Sequence, residues 1–290
     1  DLAKAIADYE VIQELLGKLG SYASLLFAKN MTDPAGAQFY QNTQEKITAL
    51  SSQILFFTLD LNKLSDAQMS EKLASRALQK YAPWLRDLRS FKPYQLSDEL
   101  EKLLHEKYVS GRAAWNRLFD ETIAGLRFPF AGKKLNEPQI FEKLSSKKAP
   151  ERKQAALSIG KVFKEKAPLF ALITNTLAKD KEIEDSWRGF RQPISSRNVS
   201  NYIEDEVVDA LIAAVKKSYP ELSHRYYMLK AKWFGKKQLE YWDRNAPVPG
   251  DDDKTYGWAE ARDLVLASYA QFSPALAKQG QVFFDKPWID

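Results

Sequence analysis

The chain has 290 residues, 44% of them hydrophobic and 28% charged, which is apolar mass enough for a sizeable core and excludes a disordered polymer. Against 38 acidic side chains stand 43 basic ones, a net charge of +5, and the absence of cysteine excludes disulfides, thiolate nucleophiles and Cys-ligated metals. With 12 glycines and 13 prolines the chain is poor in the residues an all-β fold needs at its turns; its length suits two domains or one elongated helical body.

Helical periodicity runs through nearly the whole sequence. Asp33 is placed as an N-cap with Pro34 at the first helical position, and behind it Ile47, Leu50, Ile54, Phe57 and Leu61 recur at three- and four-residue steps as one apolar face. Ser65 with Gln68 predicts a capping box that opens a helix to about Lys80, closed off by Pro83. Ser97 caps another helix, and Trp115, Leu118 and Phe119 mark one that ends near Gly125. From Leu126 to Leu135 the helical pattern breaks, predicting a small hairpin or extended turn, and the stretch Leu126 to Asn136 is the best domain seam. Val207, Val208, Leu211, Ile212 and Val215 form the apolar stripe of a helix that stops before Pro220. Tyr226, Leu229 and Trp233 continue the next, with Gly235 as its C-terminal stop. Leu239-Glu240-Tyr241-Trp242 predicts a short strand leaving a helix, followed by an exposed loop from Asn245 to Lys254 that Pro247, Pro249 and Gly250 keep from being helical. Trp258, Ala261, Val265 and Phe272 mark a last helix, and no repeat of fixed period argues for a solenoid. The expected fold class is all-α, mostly helical with one or two short β segments.

The longest run free of Asp, Glu, Lys and Arg is the 14 residues Leu264 to Ala277, which contain Pro274. A membrane-spanning helix needs about 20 such residues. The start Asp1-Leu2-Ala3-Lys4 lacks the basic-then-apolar layout of a signal peptide, so a soluble, cytoplasmic protein is expected. Positive charge gathers in Lys133 to Lys166, with ten basic and four acidic residues. No aromatic platform interleaves with these lysines, so a solvated helical pair is expected there and not a nucleic-acid site.

Chemical motifs are sparse. Neither G-x-G-x-x-G, G-x-x-x-x-G-K-[ST] nor G-x-S-x-G occurs. His105-Glu106-Lys107-Tyr108-Val109 begins like the zincin motif H-E-x-x-H, but Val109 stands where the second imidazole must be; catalytic zinc needs both on one helical face. His105 is therefore expected to be an ordinary helix residue, and His224, in Ser223-His224-Arg225-Tyr226-Tyr227, a packing or capping residue. Asp251-Asp252-Asp253 lacks the spaced donors of a calcium loop and reads as an exposed acidic turn. No catalytic, cofactor-binding or metal-binding residue can be assigned from these patterns.

Several runs do resemble one family. They are Ser21-Tyr22-Ala23-Ser24-Leu25-Leu26-Phe27-Ala28 with Thr32-Asp33-Pro34, then Gln44-Glu45-Lys46 through Leu55-Phe56-Phe57-Thr58-Leu59-Asp60-Leu61, and Phe119-Asp120-Glu121-Thr122 leading into Leu126. More specific are Ser195-Ser196-Arg197-Asn198-Val199-Ser200-Asn201, Leu222-Ser223-His224-Arg225-Tyr226-Tyr227 and Leu239-Glu240-Tyr241-Trp242-Asp243-Arg244-Asn245-Ala246-Pro247. In order and spacing these resemble the oligoendopeptidase F branch of the thimet-oligopeptidase-like zinc metallopeptidases.

The resemblance implies a helical protein whose two halves enclose a channel for short unfolded peptides. It implies zinc in the complete enzyme, with the H-E-x-x-H helix and a third Glu ligand lying beyond Asp290. Residues 1–125 would be the N-terminal helical region and 126–290 the first part of the peptidase domain. This chain alone would then bind no zinc and cut nothing. Its partners would be short peptides and the C-terminal catalytic portion, with neither nucleic acid nor membrane. A non-catalytic helical scaffold that binds peptides or nucleic acid through Lys133 to Lys166 is the alternative.

Overall fold

The computed structural model describes residues 1–250, 254–286 and 288–289. Two long helices open the chain. Asp1 caps α1 (Leu2–Lys29), and Asp33 caps α2 (Pro34–Lys63) by accepting from the backbone N–H groups of Ala35 and Gly36, beside the proline at the helix start. A short turn folds α2 back along α1, so that Phe27 stacks on Tyr40 and Tyr9 meets Phe57, each pair with ring centroids 5.0 Å apart. At Gly20 a Cβ would meet Ile47 Cδ1 of α2 at 3.4 Å, an ordinary van der Waals contact.

Ser65 and Gln68 form the expected capping box at α3 (Asp66–Leu73). That helix is shorter than the sequence pattern suggests. It gives way to a 3₁₀ turn over Arg76–Tyr81, and Pro83 opens α4 (Ala82–Arg89) instead of closing off its predecessor. Proline fits the first turn, where its missing N–H is no loss. Ile6, Leu61, Met69, Leu78, Tyr81 and Leu85 bury together here as a first core. Next come α5 (Asp98–Lys107), packed on α2, and α6 (Arg112–Gly125). Ser97 sits at the N-cap of α5, though its hydroxyl makes no capping hydrogen bond.

The predicted hairpin is present. β1 (Phe128–Phe130) pairs antiparallel with β2 (Lys133–Leu135), Phe128 opposite Leu135. The two linking residues, Ala131 and Gly132, both take positive φ, +47° and +78°, the mirror-image turn whose twist matches that of the strands. Phe128 buries its ring with Leu126, Ile140, Ala155 and Val162 in a second core. That core lies between α7 (Glu137–Glu142), capped by an Asn136/Gln139 box, and the 40-residue α8 (Ala149–Arg188). α8 carries Pro168 inside it and ends at Gly189, whose φ of +78° provides the left-handed stop.

Beyond it lie α9 (Ser195–Ser200), α10 (Asp205–Ser218), a wide π-type turn over Pro220–His224, and α11 (Arg225–Trp233), stopped at Gly235 with φ +65°. Asp1–Ala246 make one compact unit and Pro247–Asp290 a second, smaller one. Within the latter, α12 (Trp258–Phe272) packs on α13 (Pro274–Asp285), which Ser273 caps. Gly280 faces the Tyr269 ring so closely that a Cβ would sit 3.1 Å from it.

Two further sequence expectations need correction. Leu239 to Trp242 is not a strand: Tyr241–Asp243 is a 3₁₀ turn closed by a Glu240/Asp243 capping box. Asp243 and Arg244 donate their backbone N–H groups to the carbonyls of Glu240 and Tyr241, within the turn itself. Nor is Lys133 to Lys166 a uniformly solvated helical pair. It begins in β2, α8 runs well past it, and Arg152 is only 1% exposed. Asp251-Asp252-Asp253 lies outside the described residues, while the flanking 245–250 and 254–257 are non-helical as expected. No helix among the described residues is long and apolar enough to cross a membrane.

Candidate functional site

Gly235 turns the chain out of α11, and the segment 236–246 folds back across the start of α8. Asp243 anchors this return. It is fully buried; its Oδ1 accepts from Arg152 Nη2 at 2.7 Å, its Oδ2 pairs with Lys236 Nζ, and it closes the capping box with Glu240. Arg152 spends its other terminal nitrogen on the carbonyls of Ser146 and Lys147, at 2.7 and 3.1 Å, and lies over the Phe234 ring, 5.8 Å from its centroid. Its Nε has no hydrogen-bond partner among the described residues. Nearby, the buried Lys230 donates to the Arg244 carbonyl at 2.8 Å. Burial alone would raise the Asp243 pKa; the hydrogen bonds and positive charges of Lys236 and Arg152 outweigh it and hold the carboxyl below its ordinary value.

The segment so fixed forms one side of a cavity of about 760 Å³. α7 and α8 contribute Phe141, Ala156 and Ile159, and α11 contributes Tyr227, Met228 and Ala231. Leu239, Tyr241 and Trp242 complete an apolar lining, with Lys237, Arg244 and His224 also on the wall. A concave apolar wall with a few polar groups is the usual form of a small-ligand site.

Two further concavities lie elsewhere. One of about 570 Å³ is bordered by His105 and by Arg188, which grips Glu101 through both terminal nitrogens at 2.6 and 3.1 Å. Another of about 790 Å³ adjoins Asp205, which accepts from Ser195 Oγ at 2.8 Å and Asn198 Nδ2 at 2.7 Å. Those hydrogen bonds, Asn198's foremost, hold the Asp205 carboxyl below its usual range. The run Ser195 to Asn201 therefore ties α9 to the start of α10.

The histidines do not converge on one site. His105 Nε2 meets Ser51 Oγ at 2.8 Å across α5 and α2, while His224 sits against Tyr219. Among the described residues no group of three His, Asp or Glu side chains could hold a metal ion. Catalytic zinc requires convergent imidazole and carboxylate ligands, and the described residues bring no such set together. Sequence reading missed Arg152 and Asp243, 91 positions apart, because nothing in their spacing joins them. The available signal was an acid, Asp243, directly following the aromatic pair Tyr241-Trp242.

Comparison with known proteins places this architecture. A family model described as Oligopeptidase F matches residues 60–128. No curated protein matches. Among solved structures, oligoendopeptidase-F from Enterococcus faecium superposes with a TM-score of 0.75 at 20% identity, covering 92% of this chain and 53% of that one. A structure named as a peptidase from Chlamydophila abortus gives 0.68 at 20% identity over 97% of this chain and 48% of that one. One named as an oligoendopeptidase F from Bacillus anthracis gives 0.73 at 18% identity over 94% and 49%. The chain spans about half the length of these structures. The family model over residues 60–128 and the fold shared with these structures both support a relation to oligoendopeptidase F.

Proposed function

We propose that these 290 residues are the amino-terminal and middle portion of a zinc-dependent oligoendopeptidase that hydrolyses internal bonds of short unfolded peptides. The observation that carries this reading is the family match over residues 60–128 joined to a shared fold across more than nine-tenths of the chain. Residues 1–125 serve as the N-terminal helical region and residues 126–290 as the beginning of the peptidase domain, with part of the substrate channel's wall. Zinc, and the water it activates, belong to residues outside this chain. What this chain contributes is confinement of the peptide. Neither nucleic acid nor a membrane enters the reading, and a cytoplasmic location goes with it.

The test is hydrolysis of a quenched fluorescent peptide. The longer protein containing this chain is expected to cleave it and to lose the activity to a chelator, while the 290-residue chain alone leaves it intact. Chelator-sensitive cleavage by the 290 residues, or none by the longer protein, would overturn the proposal.

A further inference from the structure

The cavity beside Asp243 has an apolar lining and an unbalanced rim. Lys237 and Arg244 line it with exposed side chains, and neither has a hydrogen-bond or ion-pair partner for its charge among the described residues. Lys153 adds a third cation, its Nζ 5.5 Å from the centroid of the Trp242 ring that helps form the wall. Among the described residues the lining carries two cations, Lys237 and Arg244, against one carboxylate, Glu240. Asp243 is buried between Arg152 and Lys236, and Glu240, the acid on the cavity wall, accepts from the backbone N–H of Asp243 in its capping box. The wall itself, with Phe141, Tyr227, Met228 and Trp242, is of a size and softness that suits a bulky apolar side chain.

We propose that this cavity is a peptide subsite selecting a bulky apolar residue flanked by acidic side chains. It rests on the peptidase reading and deepens it by assigning a substrate class to a particular wall. The apolar residue enters between α7, α8 and α11, and the flanking carboxylates reach Lys237 and Arg244, where charge complementarity adds specificity more than raw affinity. The buried Arg152–Asp243 pair, with the partly exposed Lys236, acts through position alone, holding segment 237–245 at the cavity's edge.

Titration of Trp fluorescence tests this with acetylated, amidated hexapeptides that carry a central Phe flanked by Glu, by Gln or by Lys. For the 290-residue chain at low salt, the Glu peptide should bind about three- to tenfold more tightly than the Gln peptide, the scale of one or two partly exposed ion pairs. The Lys peptide should bind most weakly, salt should narrow the differences, and Phe→Ala in the Glu peptide should abolish binding. Lys237→Glu with Arg244→Glu should reverse the order towards Lys, and Lys237→Gln with Arg244→Gln should flatten it. Both pairs lie at the surface, so a circular dichroism melt should match that of the parent. Equal binding of the three peptides, or an order the variants leave unchanged, would overturn this inference and leave the peptidase reading to its own hydrolysis test. A preference that appears only when the amide is replaced by a free C-terminal carboxylate would overturn it too. So would absence of binding at millimolar peptide.

Discussion

Asp243 and Arg152 exchange a charge-assisted hydrogen bond in a place that excludes water. A buried pair of this kind adds little over well-packed apolar residues, but removing one partner strands the other. Asp243→Ala leaves Arg152 and Lys236 facing one another with no counter-charge and should cost about 3–5 kcal/mol in denaturant unfolding. Joint replacement, Asp243→Leu with Arg152→Met, should cost less than the two single changes added together, a coupling read directly from a double-mutant cycle. The sign of the pH effect follows from the depressed pKa. A carboxyl held below its ordinary value of 3.8 in the folded state contributes stability that is fully present above that value and is lost as pH falls through the folded one. Acid unfolding of Asp243→Asn should therefore lack the steepening that the parent shows below about pH 4. A parent and variant with parallel acid limbs would mean that the carboxyl is not charged in the folded protein.

Among the elements, α8 is held by what ends it. Gly189 takes φ +78°, a conformation that costs a residue with a Cβ about 1 kcal/mol or more. Gly189→Ala should lower stability by roughly that amount and shift the thermal midpoint downward, since the space around the position is otherwise open. No shift would place the helix end elsewhere. α10 shows the opposite relation between pattern and packing. Its stripe of Val207, Leu211, Ile212 and Val215 has the spacing of a buried helix face, yet Leu211 is 62% exposed and no residue of α10 is buried. Periodicity specifies that such a face forms; whether a neighbour covers it depends on distant parts of the chain.

Viewed as a whole molecule, the chain presents much apolar surface. Phe272 is 85% exposed and Trp258 65%, and the apolar stripe of α10 is open as well. Single protein chains rarely expose contiguous apolar patches beyond a few hundred Å². The 290-residue chain should therefore bind a dye specific for exposed apolar surface, or self-associate in sedimentation. A chain that is monomeric, silent to the dye and cooperative in unfolding would show that these faces need no cover.

The helices, their caps and the hairpin were legible in the sequence because each is decided within a few residues. Asp33 with Pro34, Ser65 with Gln68, and Gly235 satisfy or terminate helix ends through contacts no more than a turn away, and the break at Leu126 marks where the strands begin. Apolar stretches that looked alike in the sequence diverged where long-range contacts ruled. Leu239 to Trp242 has the composition of a strand but no strand to pair with, so Asp243, gripped by Arg152 from 91 positions away, winds it into a turn. The same contact took Arg152 out of a lysine-rich run and buried it. Local sequence determined which elements form, through hydrogen bonds that close over three or four residues. Only the tertiary structure decided which charges are buried as partners and which remain on the cavity rim, because desolvation and pairing depend on groups that folding alone brings together.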